Sequence, residues 1–188
     1  MIFALLAAVA ANGVNEPPRR GTFVETSAGV FTVFGGSPAV SNAQPWLGLA
    51  VGRELGERAA VFLSLGVGAN SAACFQLLSD GSCAGPDSFG LAFLELGASY
   101  GLAVAPRTLF SLKLVGGVTD LSPTPLRTGT GSLVGFHGGA GFALDYDTRL
   151  AHFAVGADVL ARYTRASDSG HTVAFVSLAV MPRIRYVF

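Results

Sequence analysis

Apolar residues alternate with small or polar ones at a period of two along most of this chain. In the segment from 61 to 68 the odd positions are Val or Leu, and the even positions are Phe62, Ser64, Gly66 and Gly68. Because successive side chains of a β-strand point to opposite faces, this period predicts strands with one apolar face. Eight such segments follow one another from Gly21 to Phe188, with connections that are alternately long and short. The sequence therefore predicts an all-β fold of eight antiparallel strands.

The contents of the two faces indicate which one points inward. One face is Val, Leu, Phe and Tyr almost throughout, whereas the other carries Gly, Ser and Ala with most of the charged residues. A soluble barrel would instead fill its interior with apolar groups and wet its exterior. With 51% hydrophobic and only 13% charged residues, the chain is too apolar for an ordinary soluble domain. We expect an up-and-down transmembrane β-barrel with a polar lumen, four long extracellular loops and three short periplasmic turns.

The first residues are typical of an export signal. Residues 1–10 form a short apolar run ending in small residues, and Ala8-Val9-Ala10 fits a small-x-small cleavage pattern. We interpret residues 1–10, or 1–11, as a signal peptide, residues 12–20 as a short mature leader and residues 21–188 as the barrel. No Lys or Arg precedes the apolar run, which departs from the usual signal pattern and would fit a true start upstream of Met1. The alternative interpretation is an N-terminal helix retained in the mature protein.

The last strand has an apolar and a charged face. Ile184 and Tyr186 alternate with Arg183 and Arg185, and the chain finishes on Phe188. This ending resembles the C-terminal assembly signal of bacterial outer-membrane barrels, carried here by Ile184, Tyr186 and Phe188. The resemblance implies a location in the bacterial outer membrane, contact with outer-membrane lipid, and the barrel-assembly machinery as a partner during biogenesis.

Charged residues recur on the face that we assign to the lumen. They are Glu25, Glu95, Lys113, His137, Asp158, Arg162, Arg183 and Arg185. Register arithmetic across the predicted hairpins puts Glu95, Lys113 and His137 in one ladder, with Asp158 and Arg162 continuing around the wall. Buried charges must be paired, and an eight-stranded barrel has little room beyond its own side chains. We therefore favour a plug of salt bridges; the alternatives are a proton or ion path and a catalytic pair of a histidine with an acid.

Two features depart from the simple pattern. Residues 89–93 alternate in the opposite phase to those from Leu94 onward, which a β-bulge near Phe93 or Leu94 would explain. Trp46, the only tryptophan, follows the first long loop. It is a candidate marker of the outer membrane interface, although its parity points inward.

Both cysteines, Cys74 and Cys83, lie in the longest loop. An even pair in an exported chain predicts a disulfide that braces this loop. The redox spacing C-x-x-C is absent, and the loop has no further His or Cys for a metal site. We predict no cofactor, no metal and no catalytic residue. The formal net charge of zero provides no basic footprint for nucleic acid.

From Gly21 to Phe188 the pattern resembles small outer-membrane barrels of the OmpA and OmpX type. Three stretches are more narrowly similar to CglE-type outer-membrane proteins of myxobacterial adventurous gliding motility. They are Asn42 to Leu49, Asp87 to Phe89 with Phe93 to Glu95, and His152 to Tyr163. The resemblance implies an envelope component of the gliding machinery that contacts other motility-complex barrels, lipoproteins or periplasmic subunits. It supplies no catalytic residue.

Three classes of function follow from these observations. The first is a non-enzymatic barrel that anchors a motility complex through its loops and turns. The second is an outer-membrane lipid-modifying enzyme, for which Ser169 and His171, or His137, are the candidates, with no acid clearly placed to orient either histidine. The third is a narrow pore or a surface-adhesion barrel, and a crowded, charged lumen disfavours the pore.

Overall fold

The computed structural model describes residues 21–34, 44–56, 58–71, 76–77, 83–84, 88–105, 107–122, 132–148, 150, 152–168 and 171–188. The signal peptide and leader that we assign to residues 1–20 lie outside this range. Within the described part of the chain, no helix has the length and apolar character needed to cross a membrane.

The described residues form ten strands. In chain order they are β1 (Thr22–Phe34), β2 (Gln44–Leu55), β3 (Ala59–Ser71), β4 (Gln76–Leu77), β5 (Cys83–Ala84), β6 (Ser88–Ala105), β7 (Thr108–Ser122), β8 (Leu133–Asp147), β9 (Phe153–Asp168) and β10 (His171–Val187). Eight of them close into a barrel in the order β1-β10-β9-β8-β7-β6-β3-β2, and β4 and β5 form a separate two-stranded sheet. All the pairings are antiparallel. The predicted eight-stranded antiparallel barrel is confirmed.

The two ends of the barrel differ in their connections. At one end, the short-turn end, residues 56–58, 106–107 and 148–152 join consecutive strands. At the other, the long-loop end, residues 35–43, 72–87 and 123–132 form the longer links. The fourth link at that end is shorter than the fourth long loop that we expected. Strands β9 and β10 stay paired as far as Asp168 and His171, so only residues 169 and 170 separate them.

The outer wall of the barrel is apolar. On β2, Leu47, Leu49 and Val51 are each about half exposed, whereas the alternate residues Trp46 and Ala50 are buried. The other barrel strands repeat this alternation. The period of two that is visible in the sequence therefore separates an apolar exterior from the lumen.

The lumen is packed, and much of it is apolar, which corrects the expectation of a polar interior. Near the long-loop end, an apolar cap made of Leu91, Leu121, Leu133 and Phe175 is almost fully buried. These side chains fill the space between the strands in the manner of a soluble protein core. The small and charged residues that the sequence assigns to the lumen lie only in the part beneath this cap.

Three aromatic rings pack against one another beneath the apolar cap. The ring centroids of Phe31 and Trp46 are 5.5 Å apart, and those of Trp46 and Phe93 are 5.2 Å apart. Trp46 therefore points into the lumen, as its position in the alternation indicates, and it does not mark the outer membrane interface. Gly66 makes room for it, because a Cβ there would overlap Cζ2 of the indole. Part of the glycine content thus follows from packing large rings into a narrow lumen.

The β-bulge predicted near Phe93 or Leu94 is absent. Strand β6 pairs with β7 without a shift from Gly90 to Ala103, and the irregularity lies beyond Ala103, beside the short turn. Leu91 and Phe93 point inward together with Glu95. The apparent change of phase therefore reflects apolar residues on the lumen face and not an extra residue in the backbone.

Candidate functional site

All eight ionisable side chains that the sequence assigns to the lumen lie inside the barrel and are buried. They form two groups at different heights along the barrel axis. The lower cluster, toward the short turns, consists of Glu25, Lys113, Asp145, Asp158, Arg183 and Arg185. The upper cluster, toward the long loops, consists of Ser64, Glu95, Thr119, His137 and Arg162. The two clusters are the candidate functional site.

Glu25 on β1 is the centre of the lower cluster. Its Oε2 accepts hydrogen bonds from Arg185 Nη2 at 2.9 Å, Arg185 Nε at 3.1 Å and Arg183 Nη1 at 2.5 Å. Its Oε1 accepts a hydrogen bond from Lys113 Nζ at 3.3 Å. One carboxylate on the first strand therefore gathers cations from β7 and from the last strand.

Two aspartates supply the balancing negative charge. Arg183 Nη2 donates to Asp145 Oδ2 at 2.6 Å, and Lys113 Nζ donates to Asp158 Oδ2 at 2.6 Å. Arg183 Nε also stands 3.1 Å from Asp158 Oδ1, close enough for an ion pair but without hydrogen-bond geometry. The members of the lower cluster thus carry three formal negative and three formal positive charges. Such a cluster is stable only when all of its partners are present.

Arg162 and Glu95 form the core of the upper cluster. Arg162 Nε donates to Glu95 Oε1 at 2.5 Å and its Nη2 donates to Oε2 at 3.1 Å, a two-pronged contact between planar groups. The guanidinium carbon also lies 4.8 Å from the centre of the Trp46 ring and 5.2 Å from that of Phe93. Arg162 therefore joins the charged and aromatic parts of the lumen through cation–π contacts.

A hydroxyl, an imidazole and a carboxylate follow one another in the upper cluster. Thr119 Oγ1 lies 2.7 Å from His137 Nδ1, and His137 Nε2 lies 3.0 Å from Glu95 Oε1. Nucleophilic catalysis uses groups in this order. However, Thr119 has no exposed surface, the His137 side chain is likewise inaccessible, and the apolar cap lies above both. In this arrangement the three groups hold strands together and do not face a substrate.

The predicted ladder is wrong in the position of Lys113. Glu95 and His137 do share a level, because each is paired with Gly117. On β7, Lys113 lies four residues closer to the short turns than Gly117, and its partner on β8 is Gly141. Opposing Glu95 to Lys113 requires a hairpin centred on residue 104, whereas the observed β6–β7 pairing is centred on residue 106, and this difference moves the paired residue by four positions.

Two members of the network, Glu54 and Thr119, were not predicted, nor was the partner of Asp145. Parity on β8 places Asp145 on the lumen face, but the sequence does not reveal its partner Arg183. Glu54 reads as part of a turn, yet β2 continues to Leu55, and Glu54 Oε1 lies 4.0 Å from Arg185 Nη1. The uncharged Thr119 becomes recognisable only when the register is known. Knowing the pairing of β7 with β8 in advance would have identified it.

A small cavity lies between the two clusters. Its volume is about 40 Å³, which is room for about three water molecules. Asp158 and Arg162 line it from opposite clusters, and Asp158 Oδ1 and Arg162 Nη1 have no hydrogen-bond partner among the described residues. Among the described residues, no group of three or more His, Cys, Asp and Glu side chains is arranged to hold a metal ion.

The other predicted site residues lie away from the lumen clusters or outside the described residues. Cys74 is outside them, as are Ser169 and the side chains of Cys83 and His171, so the predicted disulfide and the loop candidates for catalysis stay predictions. His137 is the one enzyme candidate whose surroundings the structure describes.

The three residues of the C-terminal assembly signal form part of the outer wall. Ile184 and Phe188 are 54% and 68% exposed. The Tyr186 ring packs edge-on against Phe153 and against Phe188, with centroid distances of 4.9 Å in both cases. The N–H of Phe188 donates to the carbonyl of Thr22 at 2.9 Å, so the last residue is tied to the first strand.

No family model matches the chain, and no curated protein sequence matches it. Among solved structures, it is similar to Neisserial surface protein A (NspA), with a TM-score of 0.64, 14% identity, and coverage of 89% of this chain and 97% of that one. It is also similar to Ail, the attachment invasion locus protein of Yersinia pestis, in complex with the heparin analogue sucrose octasulfate. The TM-score is 0.52, with 12% identity and coverage of 89% and 99% of the two chains. These similarities show a shared fold, the closed eight-stranded antiparallel barrel.

Proposed function

We propose that this protein is a non-enzymatic β-barrel of the bacterial outer membrane that anchors a gliding-motility complex of the cell envelope. The observation that carries the proposal is the filled lumen, in which two ion-paired clusters lie beneath an apolar cap. A barrel with no open interior presents its wall to lipid and its two ends to other molecules. Its function is then attachment at those ends.

The outer wall supports the placement in a membrane. On β10, the outward residues from Val176 to Tyr186 cover about 33 Å at about 3.3 Å per residue, or about 25 Å along the axis at a tilt of about 40°. Outer-membrane barrels have an apolar band of about this height. Within the described strands, the charged side chains on the outer face are Arg53, Asp120 and Arg165, each near the end of its strand. The middle of the wall can therefore contact acyl chains.

The motility role rests on the resemblance to CglE-type proteins. This resemblance implies other motility-complex barrels, lipoproteins or periplasmic subunits as partners, in addition to outer-membrane lipid and the barrel-assembly machinery. The long-loop end faces outward in this proposal and the short-turn end faces the periplasm. Because loops carry most recognition on rigid scaffolds, residues 72–87, the longest link between barrel strands, are the first candidate contact.

Complementation of a clean deletion in the source bacterium tests this proposal. The deletion should abolish single-cell gliding and leave the lipid A mass spectrum unchanged, whereas a lipid-modifying enzyme would alter the spectrum. A barrel with residues 72–87 replaced by a short Gly-Ser linker should reach the outer membrane but not restore gliding. Gly138→Ala, on the outer wall where an added Cβ has nothing within 4 Å, is the control and should restore it. Normal gliding of the deletion strain would contradict the proposal.

Surface adhesion is the second candidate, and the similarity to Ail favours it. That protein has been crystallised with a heparin analogue, and it shares the barrel fold. Binding of the purified protein to immobilised heparin, measured with and without residues 72–87, distinguishes the candidates. Loop-dependent binding together with normal gliding of the deletion strain would select adhesion over motility.

A further inference from the structure

Among the described strand pairings of the barrel, the seam between the first and last strands is the one that is interrupted in its middle and resumes in the same register. Strands β1 and β10 pair from Phe23 to Ser27 and again from Val30 to Phe34, with the same register on both sides. Ala28 and Gly29 have no partner on β10, and Pro182 stands opposite Ala28 in this register. Proline has no N–H to donate to a ladder and is avoided in central strands. The seam therefore lacks main-chain support at its middle.

The gap is confined to one side of β10. On the other side, β10 pairs with β9 without interruption, and that ladder includes Pro182 opposite Ala157. The pairings of β2 with β3 and of β3 with β6 are also continuous. The interruption therefore lies at the closing seam, where the first strand of the barrel pairs with the last.

Charged side chains of the lower cluster cross this seam beside the gap. Glu25 on β1 is paired directly with Arg185 on β10, and Arg183 lies two residues further along, next to Pro182. Both arginines donate to Glu25 Oε2 over distances of 2.5 to 3.1 Å, and all three side chains are buried. Lys113 binds the same carboxylate from β7. Three buried cations on one carboxylate thus link β1 to β10 and β7 beside the two residues, Ala28 and Gly29, that have no main-chain partner on β10.

We propose that Glu25, Arg183 and Arg185 form a latch that holds the barrel closed at the seam, in place of the main-chain hydrogen bond that Pro182 cannot donate. The seam is then the part of the wall that opens first, and Glu25 controls its opening. Met181 and Ser27, from the two seam strands, line the lumen cavity together with Glu25, so the opening would lead to that cavity.

The upper cluster provides a matched control. Glu95 is also buried and also bonded to an arginine, but its partners lie on β3, β8 and β9 and none lies on β1 or β10. Glu25→Gln and Glu95→Gln therefore make the same chemical change with and without a seam contact. Pro182→Val restores an N–H at the gap and keeps an apolar side chain on the outer wall.

Hydrogen–deuterium exchange of the folded protein in lipid nanodiscs, read by mass spectrometry, tests the latch. In Glu25→Gln, peptides covering 22–30 and 180–187 should exchange on the order of tenfold faster, with little change in β3 and β6. Glu95→Gln should leave the seam peptides unchanged. The double variant Glu25→Gln with Pro182→Val should regain seam protection.

Two results would overturn the proposal. One is equal acceleration of the seam peptides by Glu25→Gln and Glu95→Gln, which would mean that any buried carboxylate serves equally. The other is unchanged exchange at residues 27–30 in Pro182→Val made in the otherwise native chain. That variant keeps every charge and leaves the latch intact, so it tests whether Pro182 weakens the seam even if Glu25→Gln does not fold.

Discussion

At the scale of single residues, Arg162 shows what a buried charge requires in this lumen. Arg162→Met keeps most of the side-chain volume but leaves the Glu95 carboxylate buried without its main cation. We expect a loss of about 3 to 5 kcal/mol in the free energy of unfolding, measured by urea titration in micelles. Arg165→Met, on the same strand but exposed near its end, should change stability by less than about 0.5 kcal/mol.

A double variant separates the ion pair from the packing. In Arg162→Met with Glu95→Gln no unpaired charge remains, so much of the lost stability should return. A double variant no more stable than Arg162→Met would show instead that the stacking of Arg162 on Trp46 and Phe93 dominates.

The glycines of the lumen and of the outer wall give an opposite pair of predictions. A Cβ on Gly66 would overlap the Trp46 ring, so Gly66→Ala should cost about 1 to 3 kcal/mol. Gly138 has nothing within 4 Å of a Cβ, and Gly138→Ala should be neutral or stabilise the barrel by up to about 1 kcal/mol. The emission of Trp46, the only tryptophan, measures both. Equal effects of the two variants would contradict the packing role of Gly66.

At the scale of elements, the outer wall should respond to charge according to depth. Leu65 lies at the middle of β3 on the outer wall and is 51% exposed. In lipid vesicles, Leu65→Arg should lower the free energy of unfolding by about 2 to 4 kcal/mol. Leu55→Arg, at the short-turn end of β2, should cost about 1 kcal/mol or less, because an arginine there reaches the headgroups. Equal costs for the two variants would contradict a lipid-facing outer wall.

The strands could be predicted because alternation is a local property. The segment from Val61 to Gly68 carries its own evidence for a strand, and the structure places a strand there. The error at Phe93 has a physical cause. An apolar side chain suits both lipid and a packed lumen, so its character alone does not tell which way it points. Where the lumen is apolar, both faces of a strand carry apolar residues, so the sequence pattern no longer shows which face points inward.

The pairing within the site could not be read from the sequence to the same extent. Parity places Glu95, Lys113 and His137 in the lumen, but height depends on where each hairpin turns. A register counted two residues from the observed centre of the β6–β7 hairpin put Lys113, a member of the lower cluster, in a false ladder with Glu95. Contacts such as that of Glu25 with Arg183 join residues 158 positions apart, and they depend on the closure of the whole barrel.

At the scale of the whole molecule, the barrel combines two kinds of stabilisation. Its exterior is suited to acyl chains, which provide no hydrophobic driving force between strands. Its interior therefore holds the wall together, through the apolar cap near the long loops and through ion pairs that link strands across the lumen. Lys113 and Arg162 bind carboxylates on strands that are not their neighbours in the sheet. These ion pairs span the lumen between strands that are not neighbours and so stabilise the closed barrel.

A filled lumen also predicts that the protein does not conduct ions. The cavity between the clusters is only about 40 Å³ and is bounded by paired charges, so the native barrel should give no steady single-channel current in planar bilayers. Replacing Glu95, His137 and Arg162 together by alanine removes the charged members of the upper cluster without leaving an unpaired charge among them. If this variant inserts, it should conduct more than the native barrel. Native currents as large as those of the emptied variant would show that the loops or the lumen rearrange in the membrane and that the closed interior is not the resting state.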